Sequence, residues 1–402
     1  MPRIKVSLFS QILSLIDRNM FSQLVSKHGT DKHNKGIDSW THLVSMLFMQ
    51  LANANSLRDI SNGLRSATGN LSHLGVGRAP CKSSLSYINA KRSYELFMDL
   101  YFNLLDKLEP SLQKRRRYAS RLKRKIYIMD SSIIPLCLSL FDWAKFRTKK
   151  GALKLHAVLD YDTGLPAYGV MTDGKSHDIT VAKQTSFPTG SVLVVDRAYV
   201  DYEWLYNLDS TGVFFVTRLK TNADIDIAES FLTNHKHEHI LSDEDIILSG
   251  CYSSKKYPKS LRIVKVYDSI NDQMITLLTN NLSWTADTIS QLYKARWDIE
   301  VFFKHLKQLF TVKTFVGTSA NAVRIQMWCS MITILLFKYL KNKANHNWNL
   351  SNLVSFFRIN LFVKIHLWTW LNNPFLIKPK LPPLSDLFNQ EGLFFKYAHL
   401  TV

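Results

Sequence analysis

The sequence predicts a mixed α/β protein in which an all-helical segment precedes a strand-rich core that ends in helices. Three observations carry this. Apolar residues recur at three-to-four spacing through residues 1–112; short β-branched and aromatic runs take over between Ile126 and Asn280; and helical spacing returns after Thr285. With 402 residues, 46% hydrophobic and 12% aromatic, the chain is globular and long enough for two or three domains.

Within the helical segment, FSQLVSKH, SWTHLVSMLFMQLANA, SLRDISNGLRSA and SSLSYINAKRSYELFMDLYFNLLDKL read as four helices, with Ser56 and Ser83 as N-caps. The Gly-rich loop TGNLSHLGVGRAPC separates the third from the fourth. These two helices read either as a helix-turn-helix variant presenting Lys82, Lys91 and Arg92 to DNA or as a plain bundle with solvated polar faces. Eight of the twelve residues from Lys114 to Lys125 are Lys or Arg, Arg115, Arg116 and Arg117 among them. Residues 113–125 therefore read as a linker that grips a phosphate backbone.

IYIMDSSIIPL reads as a buried strand carrying Asp130. ALKLHAVLD and LPAYGVMT, joined by YDTG, read as a hairpin, and SVLVVDRAYV is a strand with Asp196 just past its apolar run. A helix near 201–209 and the strand GVFFVTRL follow, then the strands EDIILSGCY, LRIVKVYD and QMITLLTN. Thr285 to Phe310 reads as one helix, capped by Thr285 and stapled by Trp284 and Ile289. An apolar helix over 321–340 and an aromatic, basic tail over 341–402 complete the chain.

Lys and Arg number 51 against 32 Asp and Glu, a net charge of +19 spread along the chain. That points to a polyanionic partner, nucleic acid before an anionic membrane. Cys81, Cys137, Cys251 and Cys329 are widely separated, which argues against a zinc site or a disulfide framework. The N-terminus shows no cleavable signal pattern, and the apolar run Met331 to Phe337 is too short to span a bilayer, so a cytoplasmic location is expected.

On a helical wheel Tyr293, Arg296, Glu300, Lys304 and Lys307 share an arc of about 80°, beside an apolar arc of about 120°. One carboxylate among three cations reads either as a surface strip of Glu–Lys pairs or as a site for phosphates and a metal. Asp130 and Asp196, at apolar strands, favour the metal, because a desolvated carboxylate requires a partner. His177 and Asp178 read as local capping before a route to the metals, and His156 as a packed core histidine. Lys145, Arg147, Lys149 and Lys150 read equally as DNA-lining or as solvated.

From about Trp40 to Leu340 the chain resembles the DDE transposases of the IS4 family of bacterial insertion sequences. YKARWDIEVFFKHLK carries the Y-x2-R-x3-E-x6-K signature at Tyr293, Arg296, Glu300 and Lys307, with the two aspartates in order at IYIMDSS and VLVVDRAY. The resemblance implies an RNase H-like core over 126–218 and 285–340, with a β-strand-rich insertion over 219–284. It implies Asp130, Asp196 and Glu300 as catalytic residues holding two Mg2+ ions per active site, with Mn2+ as a substitute. The substrate is then double-stranded DNA, both the element's terminal inverted repeats and the target, bound by a homodimer at the nucleoid. Tyr293, Arg296 and Lys307 are expected on DNA phosphates, leaving Glu300 free of them, with Lys304 on the same arc. A nuclease that cuts without joining and a catalytically silent DNA-binding derivative are the alternatives. Trp284 is a candidate to stack on a flipped base, although the staple accounts for it as well.

Overall fold

The computed structural model describes residues 6–34, 36–67, 69–112, 122–136, 145–147, 150–231, 239–269, 271–310 and 314–375. Arg115, Arg116, Arg117, Lys149 and the tail beyond 375 lie outside them, as do the side chains of Lys145, Arg147 and Lys150.

Six helices open the chain: α1 (Leu8–Leu13), α2 (Arg18–His28), α3 (Ser39–Ala52), α4 (Leu57–Ser66), α5 (Lys82–Lys91) and α6 (Glu95–Leu112). Their starts follow capping chemistry. Asp17, Asp38 and Ser56 each accept a first-turn N–H with the side chain. The expected fourth helix breaks in two, and Ser83 lies inside α5 instead of capping it; Cys81 holds that position. Arg92 takes an extended backbone, which delivers its guanidinium to Asp31 (3.1 Å) and to the carbonyls of Ile37 and Asp38. Asn321 bonds the Asn89 and Arg92 carbonyls left open at that break.

The strands are β1 (Ile126–Leu136), β2 (Lys145–Arg147), β3 (Lys150–Asp160), β4 (Leu165–Asp173), β5 (Val192–Val195), β6 (Phe214–Arg218), β7 (Ile225–Phe231), β8 (Ile240–Leu248), β9 (Leu261–Asp268) and β10 (Gln273–Thr279). They form one sheet ordered β2-β3-β1-β5-β6-β10-β9-β8-β7, with β4 also on β3. β1 runs antiparallel to β3 and parallel to β5, and β5 is parallel to β6. The strand-rich stretch after Arg218 extends this same sheet, because β10 pairs antiparallel with β6. Short helices α7 (Asp178–Lys183), α8 (Tyr202–Ser210) and α9 (Ser253–Lys256) join the strands.

After the sheet come α10 (Ala286–Lys294), α11 (Trp297–Leu309), α12 (Ala320–Lys343), α13 (Leu350–Ile359) and α14 (Leu367–Asn372). The period-two pattern of the central strands divides two cores. Ile126, Ile128, Leu155, Ala157, Val192 and Val194 face the core shared with the helices, while Met129, Val158, Leu193, Val195 and Phe215 face α7 and α8. Helix α12 packs against α3, α5, α6, α11 and α13. Its 24 residues are long and apolar enough to cross a membrane, beyond the short run that the sequence suggested, but 83% of its apolar window is buried inside the fold. The start of α1 meets the segment after α13, since the Leu8 and Phe9 N–H groups donate to the carbonyls of Val363 and Leu361.

Candidate active site

The strand register brings the two aspartates together. Met129 pairs with Val195 across parallel strands, so the next residues, Asp130 and Asp196, stand level on adjacent strands. Both are half-buried. The Asp130 carboxyl is pushed up to about 6, by burial first and then by Asp196 and Asp178; the Ser131 N–H (2.7 Å) and Arg296 work in the opposite direction. Two neighbouring carboxylates, one of them desolvated, repel each other and favour a cation between them.

Helices α10 and α11 lie against this pair. Arg262 pins the entry to α10: it holds Asp243 through Nε (2.7 Å) and Nη2 (2.6 Å) while Nη1 donates to the carbonyls of Leu282 and Trp284. Thr285 then caps α10 by accepting from the Thr288 N–H. The Trp284 ring packs on Phe214 with centroids 5.2 Å apart, an intramolecular role. The expected single helix is interrupted at Ala295–Arg296, where the Arg296 N–H donates to the Tyr293 carbonyl in a tight turn. Ile299, Phe302, Phe303 and Leu306 bury one face of α11 and turn Glu300 toward β1.

Two hydrogen bonds tie Tyr293, Arg296 and Glu300 into the site. Tyr293 donates its hydroxyl to Asp196 Oδ1 at 3.2 Å. Arg296, only 8% exposed, pairs through Nη1 with Glu300 Oε1 at 2.6 Å and lies near the rings of Tyr293 and Trp297. The expectation that Arg296 leaves Glu300 free is therefore corrected: at a four-residue spacing, inside a partly buried site, the guanidinium and the carboxylate satisfy each other. Lys304 is exposed and Lys307 half-buried.

The remaining predicted residues divide by exposure. Lys82 and Lys91 are exposed on α5. Arg92 is corrected: 7% exposed and bonded to Asp31 and backbone carbonyls, it serves the fold and presents no charge to DNA. His177 is exposed and stands at the N-cap of α7 without a side-chain capping bond; Asp178 starts that short helix, as expected, and pairs with Lys154 at 2.8 Å, and His156 is fully buried as expected. Sequence reasoning missed Arg218, whose guanidinium lies 5.3 Å from the Tyr293 ring centre. Its signal was a lone arginine ending the apolar run of β6. Arg218, Tyr293, Lys294, Trp297, Tyr267 and His239 line a groove of about 830 Å3 beside the site.

These donors can be tested against a divalent cation. Carboxylate oxygens suit a hard cation, and the repelling Asp130–Asp196 pair fits one. Among the described residues no three acidic, His or Cys side chains are gathered closely enough to hold a metal, and Glu300 is engaged with Arg296.

Two aspartates level on adjacent parallel strands, Asp130 within β1 and Asp196 just past β5, with a Tyr-Arg-Glu helix packed against them, define a site for phosphoryl chemistry on a polyanion. The chain belongs to the transposase DDE domain family, whose match spans residues 121–336, more than half of its length. Its chemistry is that of the family: polynucleotidyl transfer and endonucleolytic cleavage of DNA in transposition, with divalent metal ions. Residues 5–77 match a domain of unknown function. A Sinorhizobium fredii protein named as transposase y4zB is 29% identical over 262 residues, 65% of this chain and 71% of that one. A Geobacillus stearothermophilus protein named as the transposase of insertion sequence element IS5377 is 28% identical over 67% of this chain and 71% of its own length. The piggyBac transposase synaptic complex with hairpin DNA, solved by cryo-EM, aligns at a TM-score of 0.43 and 10% identity, covering 94% of this chain and 84% of that one.

Proposed function

We propose that this transposase binds the terminal inverted repeats of its own insertion sequence, cleaves at the element's ends and joins them to target DNA, using Mg2+ or Mn2+. The observation that carries this is the register of β1 and β5, which sets Asp130 and Asp196 side by side against the helix bearing Glu300. The five strands β4-β3-β1-β5-β6, part antiparallel and part parallel, support an RNase H-like core. Handling two ends together calls for a homodimer, acting on the nucleoid in the cytoplasm.

Asp130 and Asp196 would hold the cation, and Glu300 would complete the set by leaving Arg296. Two bound divalent ions supply charge stabilisation at the attacking and leaving oxygens of an in-line phosphoryl displacement. The protein's own part is to position. Tyr293 orients Asp196 through its hydroxyl. Arg296, once exchanged from Glu300, carries a positive charge that a DNA phosphate can take up. Arg218 and Tyr293 face the groove beside the site, and Lys304, Lys307, Lys82 and Lys91 supply further phosphate contacts.

Glu300→Gln should abolish Mg2+-dependent cleavage of a matched-end substrate while leaving end-DNA binding within a few-fold of wild type. Loss of cleavage and binding together would count against the assignment. A strand-transfer assay on the same substrate separates a joining enzyme from a nuclease.

A further inference from the structure

Helix α5 presents a face that the fold does not use. Leu85, Ile88 and Asn89 are buried, and they seat the helix against α4 and α12. Asn89 Oδ1 lies 2.7 Å from His42 Nε2 in α3, and the Asn89 and Arg92 carbonyls accept from Asn321 Nδ2 in α12 at 2.9 and 2.7 Å. At about 100° per residue, the other side runs Lys82, Ser86, Ala90, Ser83, Tyr87 and Lys91 in order around the helix. All six are exposed, Tyr87 by 67%. Small side chains and one phenol therefore fill the middle of this face, and a lysine stands at each margin.

The charge is as one-sided as the shape. From Ile60 to Tyr94 the chain has no Asp or Glu against five Lys and Arg. Arg65, Arg78, Lys82 and Lys91 are exposed, and Arg92 is turned inward. One exposed tyrosine or a few solvated lysines would be ordinary. Their arrangement fits a DNA duplex. The major groove, about 12 Å wide, admits one α-helix; small residues let the helix approach the base edges, and cations at both margins meet the phosphates of the two groove walls. An anionic membrane would call for large apolar residues in the middle of the face. Residues 67–81 separate α4 from α5, far beyond the turn of about three to four residues in a helix-turn-helix, so the reading rests on this face and not on that motif.

We propose that α5 reads sequence in the major groove: Ser83, Ser86 and Tyr87 meet base edges while Lys82 and Lys91 hold the flanking phosphates. A serine hydroxyl donates to or accepts from a base edge, and Tyr87 offers a hydroxyl to an acceptor and a ring to a thymine methyl. Because α5 is bonded to α12, which also packs on α11, the helix that reads and the helix that carries Glu300 share one frame. The inference rests on the reading of the terminal inverted repeat as the sequence bound.

The test measures metal-free binding of the full chain to a duplex carrying one terminal inverted repeat of its element, and to a shuffled duplex of equal length and composition, by fluorescence anisotropy over a range of salt. Tyr87→Ala should keep the wild-type unfolding temperature, lose about 10–100-fold in affinity for the repeat and stay within about two-fold on the shuffled duplex. Lys82→Ala and Lys91→Ala should weaken both duplexes alike and lower the salt slope by about one each. Equal losses on both duplexes in Tyr87→Ala, or a wild-type preference for the repeat retained when Tyr87→Ala and Ser86→Ala are combined, overturn α5 as the reader while the repeat is still recognised. Unchanged affinity in all of these variants assigns the face to another partner and overturns it too. A wild type that binds both duplexes equally overturns the reading of the repeat, and the inference with it.

Discussion

Asp130 is ionised at neutral pH at a cost set by its surroundings. Its carboxyl titrates at about 6 in the folded protein and near 3.8 unfolded, with burial the first cause and Asp196 and Asp178 adding to it. Above pH 6 both states are ionised and the folded one bears the desolvated charge, a penalty of up to about 3 kcal/mol. The penalty disappears as pH falls from about 6 toward 4, so this group stabilises the fold on acidification. Asp130→Asn should therefore raise metal-free stability in urea at pH 7.5, and the gain should be gone at pH 4. Divalent cation should give the reverse dependence in the wild type, because it binds the carboxylate: Mn2+-induced stabilisation should weaken as pH drops through 6. A gain for Asp130→Asn that persists at pH 4 would show that charge is not its source. Arg296 teaches a related lesson, since a signature arginine expected on DNA is committed in this state to Glu300.

At the scale of elements, capping and periodicity predict what they should, and side-chain ties redraw the boundaries. Thr285 accepts from the Thr288 N–H at 3.2 Å and starts the helix that carries Tyr293. Thr285→Ala should cost about 1 kcal/mol in chemical denaturation while leaving the cleavage rate near wild type; no change in stability would mean the cap is replaced by water. The break between α5 and α6 was invisible because neither Gly nor Pro marks it. Arg92 leaves the helix to reach Asp31 and two carbonyls, and Ser93 accepts the Glu95 N–H to start the next one. The interruption at Ala295–Arg296 is equally unmarked, and it matters more, since Arg296 turns there toward Glu300.

Across the whole molecule, one contiguous core joins the opening helices, the helix-facing side of the sheet and the closing helices. Helix α12 runs through it, and Phe337, fully buried, meets Phe357 edge-on at 5.3 Å. Phe337→Ala should cost about 3–5 kcal/mol, a large share of a typical stability of about 5–15 kcal/mol. Because this core is shared, circular dichroism for helix and tryptophan fluorescence should lose structure at one common, lowered midpoint. Two separated transitions would show that the helical and sheet regions unfold independently.

The sequence by itself determined the classes of element, the order of the two aspartates and the glutamate, and the family, because hydrophobic period and motif spacing are local properties of the chain. It placed Asp130 within one strand and Asp196 just past another without showing that they stand level. Only the tertiary structure decided that, since the parallel register of β1 and β5 depends on which strands become neighbours. The same holds for the pairing of Arg296 with Glu300 and the removal of Arg92 from the surface. Burial and partnership depend on residues distant in the chain, and a helical wheel shows one helix without its neighbours.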